Sequence, residues 1–337
     1  MEKYDVIVCG GGIAGISAAL ASARSGQKVC LIERNALLGG LATVGLIHWY
    51  EPLCDGKNHQ MIYSIAEELL KLSIAHGYDT LDHSWFDPNC KEHQKRFSTW
   101  FDPNLFALSL TRLLDEEGVK IYFESQISEV HVRNHKMTSL DIYTIEGKIK
   151  LSAKSFIDAT GSAYIFKQAH IPTRNGENYL TYATTTYKNG LGRPIFQYTG
   201  ASMYGNDCPD GVRNFKDASQ KDVNDYLLIG QKLCLKEYEE GKISDLSILP
   251  NMVQFRRIST IQGDYQLSKD DLYQHHEDSI GVIGVFDRPG EWYELPLGIL
   301  TQPTITNLFA AGRIVSCFDN SAWEATRVIP VCALTGE

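Results

Sequence analysis

Short apolar runs alternate with glycine-rich turns from the start of the chain. Val6 to Cys9 is apolar and glycine-bounded, the pattern of a buried parallel strand. Three glycines, a helix of small residues and a second apolar run, Lys28 to Ile32, follow, and the run ends on Glu33. Between residues 60 and 76, Met61, Ile65, Leu69 and Leu72 recur at near-helical spacing. Residues 83–101 are aromatic and polar without a clear period. Asp102-Pro103 has the chemistry of an N-cap and first helical residue, with Gly118 as the stop. Val119 to Glu124 reads as a third strand, and weak alternation over 127–151 predicts a small antiparallel meander. Ser155 to Asp158 is another apolar strand running into the turn Ala159-Thr160-Gly161.

From about residue 165 to 300 the texture becomes polar, tyrosine-rich and irregular. The strand-then-glycine pattern returns at Asn307-Leu-Phe-Ala-Ala-Gly-Arg313, and Pro330 starts a helix. The division expected is a discontinuous nucleotide-binding domain, 1–164 with 301–337, and a substrate or cap domain, 165–300. No internal repeat or low-complexity segment is present. The fold class is α/β: a Rossmann-like domain, a second α+β domain and the meander.

Gly10, Gly12 and Gly15 make the G-x-G-x-x-G spacing. The first permits a sharp turn, the second lets backbone approach a pyrophosphate, and the third lets the helix pack close to the strand. Ala14 lies within the motif, where the helix points free N–H groups and its positive dipole end at a diphosphate. Glu33 stands where an acceptor for a ribose diol is expected, and a 2′-phosphate there would meet like charge. The alternative is a structural βαβ unit without a nucleotide.

Composition narrows this further. A chain of 337 residues predicts about two domains. A net charge of −9 with 43% hydrophobic residues describes an acidic globular protein. That balance argues against a phosphate-tracking nucleic-acid surface, and no apolar run approaches the roughly 20 residues a membrane span needs. The first strand starts by Asp5, leaving no room for a leader, so a cytoplasmic location is expected. The eight cysteines form no C-x-x-C or closer cluster, which excludes a disulfide framework, a structural zinc and an iron–sulfur cluster; no metal is expected.

A nicotinamide cofactor would use only the first glycine motif. FAD is longer and is contacted from several strand ends. Glycine turns at Leu38-Gly39-Gly40, Ala159-Thr160-Gly161 and Ala311-Gly312-Arg313 therefore fit FAD better. The expected contact set adds Arg34, Leu41 and Thr43 near the second strand, Ile127 on the meander, and Pro330 at the last helix.

With these motifs the chain resembles the FAD-dependent oxidoreductases of the glutathione-reductase-like fold, nearest to the bacterial group related to the flavin subunit of heterodisulfide reductases. Gly263-Asp-Tyr-Gln-Leu-Ser-Lys-Asp-Asp271, Tyr293-Glu-Leu-Pro296 and Arg327-Val-Ile-Pro-Val-Cys-Ala-Leu-Thr-Gly336 carry the resemblance beyond the nucleotide motifs. It departs at Arg256-Arg-Ile-Ser-Thr-Ile-Gln-Gly263, where relatives show an arginine-rich run and only Arg256 matches plainly. Relatives also continue the last helix past the position of Glu337. The resemblance implies a hydride- or electron-transferring enzyme with a small organic substrate and a separate electron donor or acceptor; a homo-oligomer is allowed.

Flavin chemistry belongs to the cofactor, and the protein supplies position and field. Hydride arriving at the ring leaves charge that a helix N-terminus or a cation stabilises. Arg327, just before Pro330, is the expected partner; the competing reading is a surface arginine beside a cap. His48, with Trp49, follows the Gly39-Gly40 turn and is the candidate proton shuttle, against a packing histidine. Arg256 and Arg257 could fork a carboxylate or pair with acids across strands, and Trp323 could line the ring pocket or fill the core. His275-His276 reads as solvated. Gly190-Leu-Gly192-Arg-Pro opens no helix, so no second dinucleotide domain is expected, and no histidine has a covalent-flavin context. Two other classes stay open: a flavoprotein acting on tRNA, and a non-catalytic nucleotide-binding module.

Overall fold

In a computed structural model, residues 2–57, 59–82, 84, 97–187, 193–202, 204–243 and 245–337 are described. Cys90, most of 83–101 and the Gly190-Leu-Gly192 turn lie outside them. The central sheet has parallel strands Lys120–Tyr122, Val29–Ile32, Glu2–Cys9 and Gly147–Asp158, in that spatial order. The long strand Gly147–Asp158 serves two partners. Its first half pairs antiparallel with Lys136–Thr144, which pairs in turn with Gln126–Arg133. Its last residues, Phe156 to Asp158, pair in parallel with Leu308–Ala310. A distant segment therefore returns to the same sheet edge as the meander.

Both faces of this sheet are covered, which is why its strands are continuously apolar rather than alternating. On one face Val8, Val29 and Leu31 join the helices Ile13–Arg24, Ser64–Ser73 and Pro103–Glu116. On the other, Ile7, Cys9, Cys30 and Ile32 meet the meander and the short helix Tyr164–Gln168. Asp102 caps its helix as its sequence context implies: the carboxylate accepts from the N–H groups of Asn104 and Leu105, with Pro103 in the first turn.

A second, smaller sheet runs Pro194–Gly200, Thr181–Tyr187, Leu246–Ile248 and carries the helix Gln220–Glu239. Its own core holds Leu180, Tyr182, Phe215, Tyr226 and Phe255. Gln254 stitches it to the first body: its amide nitrogen donates to the carbonyls of Ala183 and Gly45, at 3.0 and 2.6 Å. The hairpin Ser279–Gly284 with Trp292–Pro296 packs Ile283, Tyr293 and Leu295 into the helical core of the first body. The chain ends with helices Asn320–Thr326 and Ile329–Gly336. Among the described residues, no helix is long and apolar enough to cross a membrane.

Candidate cofactor groove at the ends of the parallel strands

The three glycines after the first strand do three different jobs. Gly10 has φ +105°, and a side chain there would meet the Ala159 carbonyl oxygen at 2.6 Å. Gly15 sits inside the helix, where a Cβ would stand 1.8 Å from the Gly10 carbonyl. These two are demanded by the protein itself. Gly12 is not: its φ is −72° and a Cβ there would meet nothing within 4 Å. It faces open space, and no side chain caps the helix it begins. The first-turn N–H groups and the positive dipole end are thus turned to a groove that a diphosphate fits.

Several turns converge on that groove. Gly10, Gly12, Ala14, Glu33, Arg34, Gly39, Gly40 and Leu41 line one side, with Ala159, Thr160, Gly161, Gly312, Arg313 and Arg327 around them. Past Glu33 and Thr160 it continues to Ile127 on the meander. Three arginines, Arg34, Arg313 and Arg327, and one acid, Glu33, are among its lining in the described residues. That excess suits an anionic ligand.

Three of the expected contacts act from outside. Gly15 lies beneath the turn. Thr43 donates its hydroxyl to the Leu38 carbonyl at 2.5 Å and so holds the Gly39-Gly40 loop. Pro330 is in the first turn of the last helix but does not line the groove.

Glu33 is buried, and its carboxylate accepts from Gly11 N–H at 2.7 Å and from Asn35 N–H at 2.8 Å. It ties the glycine turn to the strand end before any ligand arrives; Oε1 also accepts from the Asn35 side-chain amide at 2.6 Å, so Oε2 is the oxygen that keeps acceptor capacity. Arg313 is half-buried; it donates to the carbonyls of Gly161 (3.0 Å) and Phe255 (2.6 Å), and desolvation pulls its pKa down to about 10. It buttresses the Gly161 turn.

At the far end Arg327 lies over the rings of Phe286 and Trp323, 5.6 Å from each centroid, and burial lowers its pKa. It is therefore no surface arginine. Glu51, also buried, accepts from the Ile329 N–H at 3.0 Å; burial raises its pKa, against the field of Arg327. Sequence reading missed this acid, which caps the helix proposed to face the ring. It also missed Met252, Ile329 and Cys332 in the groove wall. Burial pushes the Cys332 thiol up to about 12, and the thiol donates to the Arg327 carbonyl at 3.3 Å, so it is not a thiolate nucleophile.

His48 is fully buried and does not line the groove. Nδ1 lies 3.0 Å from the Phe101 carbonyl and 3.2 Å from the Tyr78 hydroxyl, and the ring packs edge-on against Trp100 and Phe101. Burial depresses its pKa. Trp49 packs against Trp100 and Phe286. His275 is exposed and paired with Glu294 at 2.9 Å, as its charged context implies. His276 departs from that expectation: it packs edge-on on Tyr265 with its side chain 13% exposed, because the turn lays it over the loop that Asp271 caps.

Comparison with known proteins completes the picture. The profile of the family described as FAD dependent oxidoreductase matches residues 5–224. The chain belongs to that family. FAD is its cofactor, and the Gly12 opening, the uncapped helix and the guanidinium-rich groove are where this chain has the means to hold it.

A tRNA uridine 5-carboxymethylaminomethyl modification enzyme from Buchnera aphidicola is 27% identical over 178 residues, 49% of this chain and 25% of that protein. A thioredoxin reductase from Ureaplasma parvum is 28% identical over 81 residues, 24% of this chain and 26% of that one. The chain thus spans about a quarter of the length of these relatives. Among solved structures, BexE, from a study of oxidation during BE-7585A biosynthesis, aligns over 93% of this chain and 56% of its own, at 10% identity and TM-score 0.50. That likeness is one of fold.

Proposed function

We propose that the protein moves hydride or electrons between a small organic substrate and a separate redox partner, using non-covalently held FAD. The observation that carries this is the groove itself, in which separate glycine turns at the ends of three parallel strands line two adjoining cavities that share Gly10, Glu33, Arg34 and Thr160. The FAD, when bound, supplies the two-electron chemistry. Gly12 and the first turn of its helix would meet the pyrophosphate, and Glu33 the ribose diol. Arg327, at the opposite end, would stabilise charge developing on the ring.

In this reading residues 1–164 with 301–337, joined by the hairpin Ser279–Gly284 with Trp292–Pro296, form the cofactor-binding domain, and the part of 165–300 built around Leu180, Tyr182, Phe215, Tyr226 and Phe255 forms the substrate side. His48 would orient the loop after Gly40 rather than carry protons, since its ring is buried away from the groove and Nδ1 is engaged by Phe101 and Tyr78.

A visible spectrum of the purified protein tests the cofactor. An anaerobic screen of small organic substrates for bleaching then tests the reaction. Bleaching by at least one supports the reading, and a flavin that none of them reduces favours the non-catalytic module. A tRNA substrate is the competing reading, since one relative is named for tRNA modification; the charge of −9 speaks against it. Firm retention on heparin at low salt would favour tRNA.

A further inference from the structure

On the cap side of Trp323 lies a second cavity, lined by Arg256, Arg257, Asn178, Tyr204, Trp323 and Glu324 among others. We propose that this cavity is the substrate's anchoring site and that it takes an organic carboxylate, held by Arg256 and Arg257.

The inference rests on the flavoenzyme reading above and adds the substrate class. Arg256 and Arg257 are each only 9% exposed. Among the described residues neither forms an ion pair, and the Nε–H of each has no hydrogen-bond partner. Two buried guanidinium groups with no direct ion-pair partner and an unspent Nε–H each are completed by an anionic ligand. This disposes of the alternative that they pair with acids across strands. They lie instead in irregular chain before the strand Ser259–Ile261.

The surroundings are built to hold Arg257 in one pose. The Asn178 side chain clamps its backbone, accepting from Arg257 N–H at 2.8 Å and donating to its carbonyl at 2.6 Å. Gly176 leaves room for the stem, since a Cβ there would stand 2.0 Å from Arg257 Cγ. Asn320 accepts from Nη1, and the guanidinium carbon lies 5.2 Å from the Trp323 ring centroid. A planar donor fixed this way, with Nε–H spare, matches the flat fork of a carboxylate. Arg256 is held more loosely, by the Gln254 carbonyl at 3.3 Å and the Tyr198 hydroxyl at 3.4 Å.

Position and charge give the rest. Trp323 also carries Arg327, which lines the cofactor groove, so a ligand anchored on Arg257 sits one aromatic ring away from that groove. Glu324 and Glu177 share the cavity, so the formal charges of its two arginines and two glutamates balance. A single carboxylate suits that balance better than a phosphate dianion.

Calorimetric titration of the FAD-loaded protein with succinate and with benzoate tests this, with benzamide as the neutral isostere and inorganic phosphate as the competing anion. At least one carboxylate is expected to bind saturably, with benzamide and phosphate weaker. Arg257→Gln and Arg256→Gln are each expected to weaken carboxylate binding by about tenfold or more, the loss of one charge-assisted contact. Arg257→Lys is expected to recover part of it, with melting temperature and flavin content unchanged in all three. No binding by either carboxylate, equal binding of benzoate and benzamide, tighter binding of phosphate, or indifference to both Gln variants overturns the proposal. Flavin content is read separately on the same samples. A chain that retains no FAD yet binds carboxylate through Arg257 overturns only the cofactor reading.

Discussion

In the cofactor groove, much of the ligand-facing surface is backbone, at Gly10, Gly12, Gly39, Gly161 and Gly312, while across Trp323 the second cavity is made of side chains from Asn178, Tyr204, Arg256, Arg257 and Glu324. The first is rigid because its turns are locked before ligand arrives: Gly39 N–H donates to Gly11 at 2.8 Å, and Glu33 holds Gly11. The second owes its order to aromatic stacking and amide clamps around guanidinium groups that keep donors in reserve. A site common to many chemistries is built from main chain, which every sequence has. A site that selects one substrate needs side chains, and their unspent hydrogen bonds mark it.

The largest effect should come from breaking the main-chain side of this contrast. Gly15→Val would drive a side chain into the Gly10 carbonyl, so an insoluble protein, or a loss of about 3 kcal/mol or more in denaturant unfolding, is expected. Gly12→Ala sharpens the same point in reverse. The protein has room for it, so stability should stay within about 0.5 kcal/mol while the FAD dissociation constant rises about tenfold or more. Wild-type FAD affinity in that variant would mean that the pyrophosphate does not lie over Gly12.

Glu33→Lys falls between the two sites' logics, because the carboxylate serves both the turn and the groove. The loss of its buried bonds to Gly11 and Asn35 should cost about 1.5–3 kcal/mol in stability, with FAD affinity falling too. Weaker FAD binding with unchanged stability would assign it to the ligand alone. Arg327→Ala addresses the seam between the two cavities: the flavin potential should drop in a redox titration with FAD still bound, and an unmoved potential would leave Arg327 a packing residue of Trp323 and Phe286.

The smallest effect concerns His48. Its folded-state pKa is depressed by burial, so below the unfolded value of about 6.5 the unfolded chain takes up the proton first. Its contribution to stability is therefore complete above that pH and declines as pH falls toward the folded pKa. The slope is at most about 1.4 kcal/mol per pH unit. His48→Gln, which offers a donor to Phe101, should flatten that part of the stability profile; an unchanged profile would place the acid sensitivity elsewhere.

The parts of this protein legible in its sequence are those whose reasons are local. Glycine at positions 10, 15, 39 and 161 is dictated by a positive φ or a close approach to main chain a few residues or one strand away, and the strand–turn–helix context announces it. Asp102-Pro103 and the meander were readable for the same reason. Tertiary structure alone decided what each charged side chain does. Arg327 looked the same as a surface arginine until Trp323 and Phe286 were folded over it, and Glu51 showed no sign of capping Ile329. His276 gave no hint of Tyr265, nor Arg257 of Asn178 and Asn320. A glycine's role is set by its own backbone angles, whereas a charge takes its role from which groups are brought beside it and how much water they exclude.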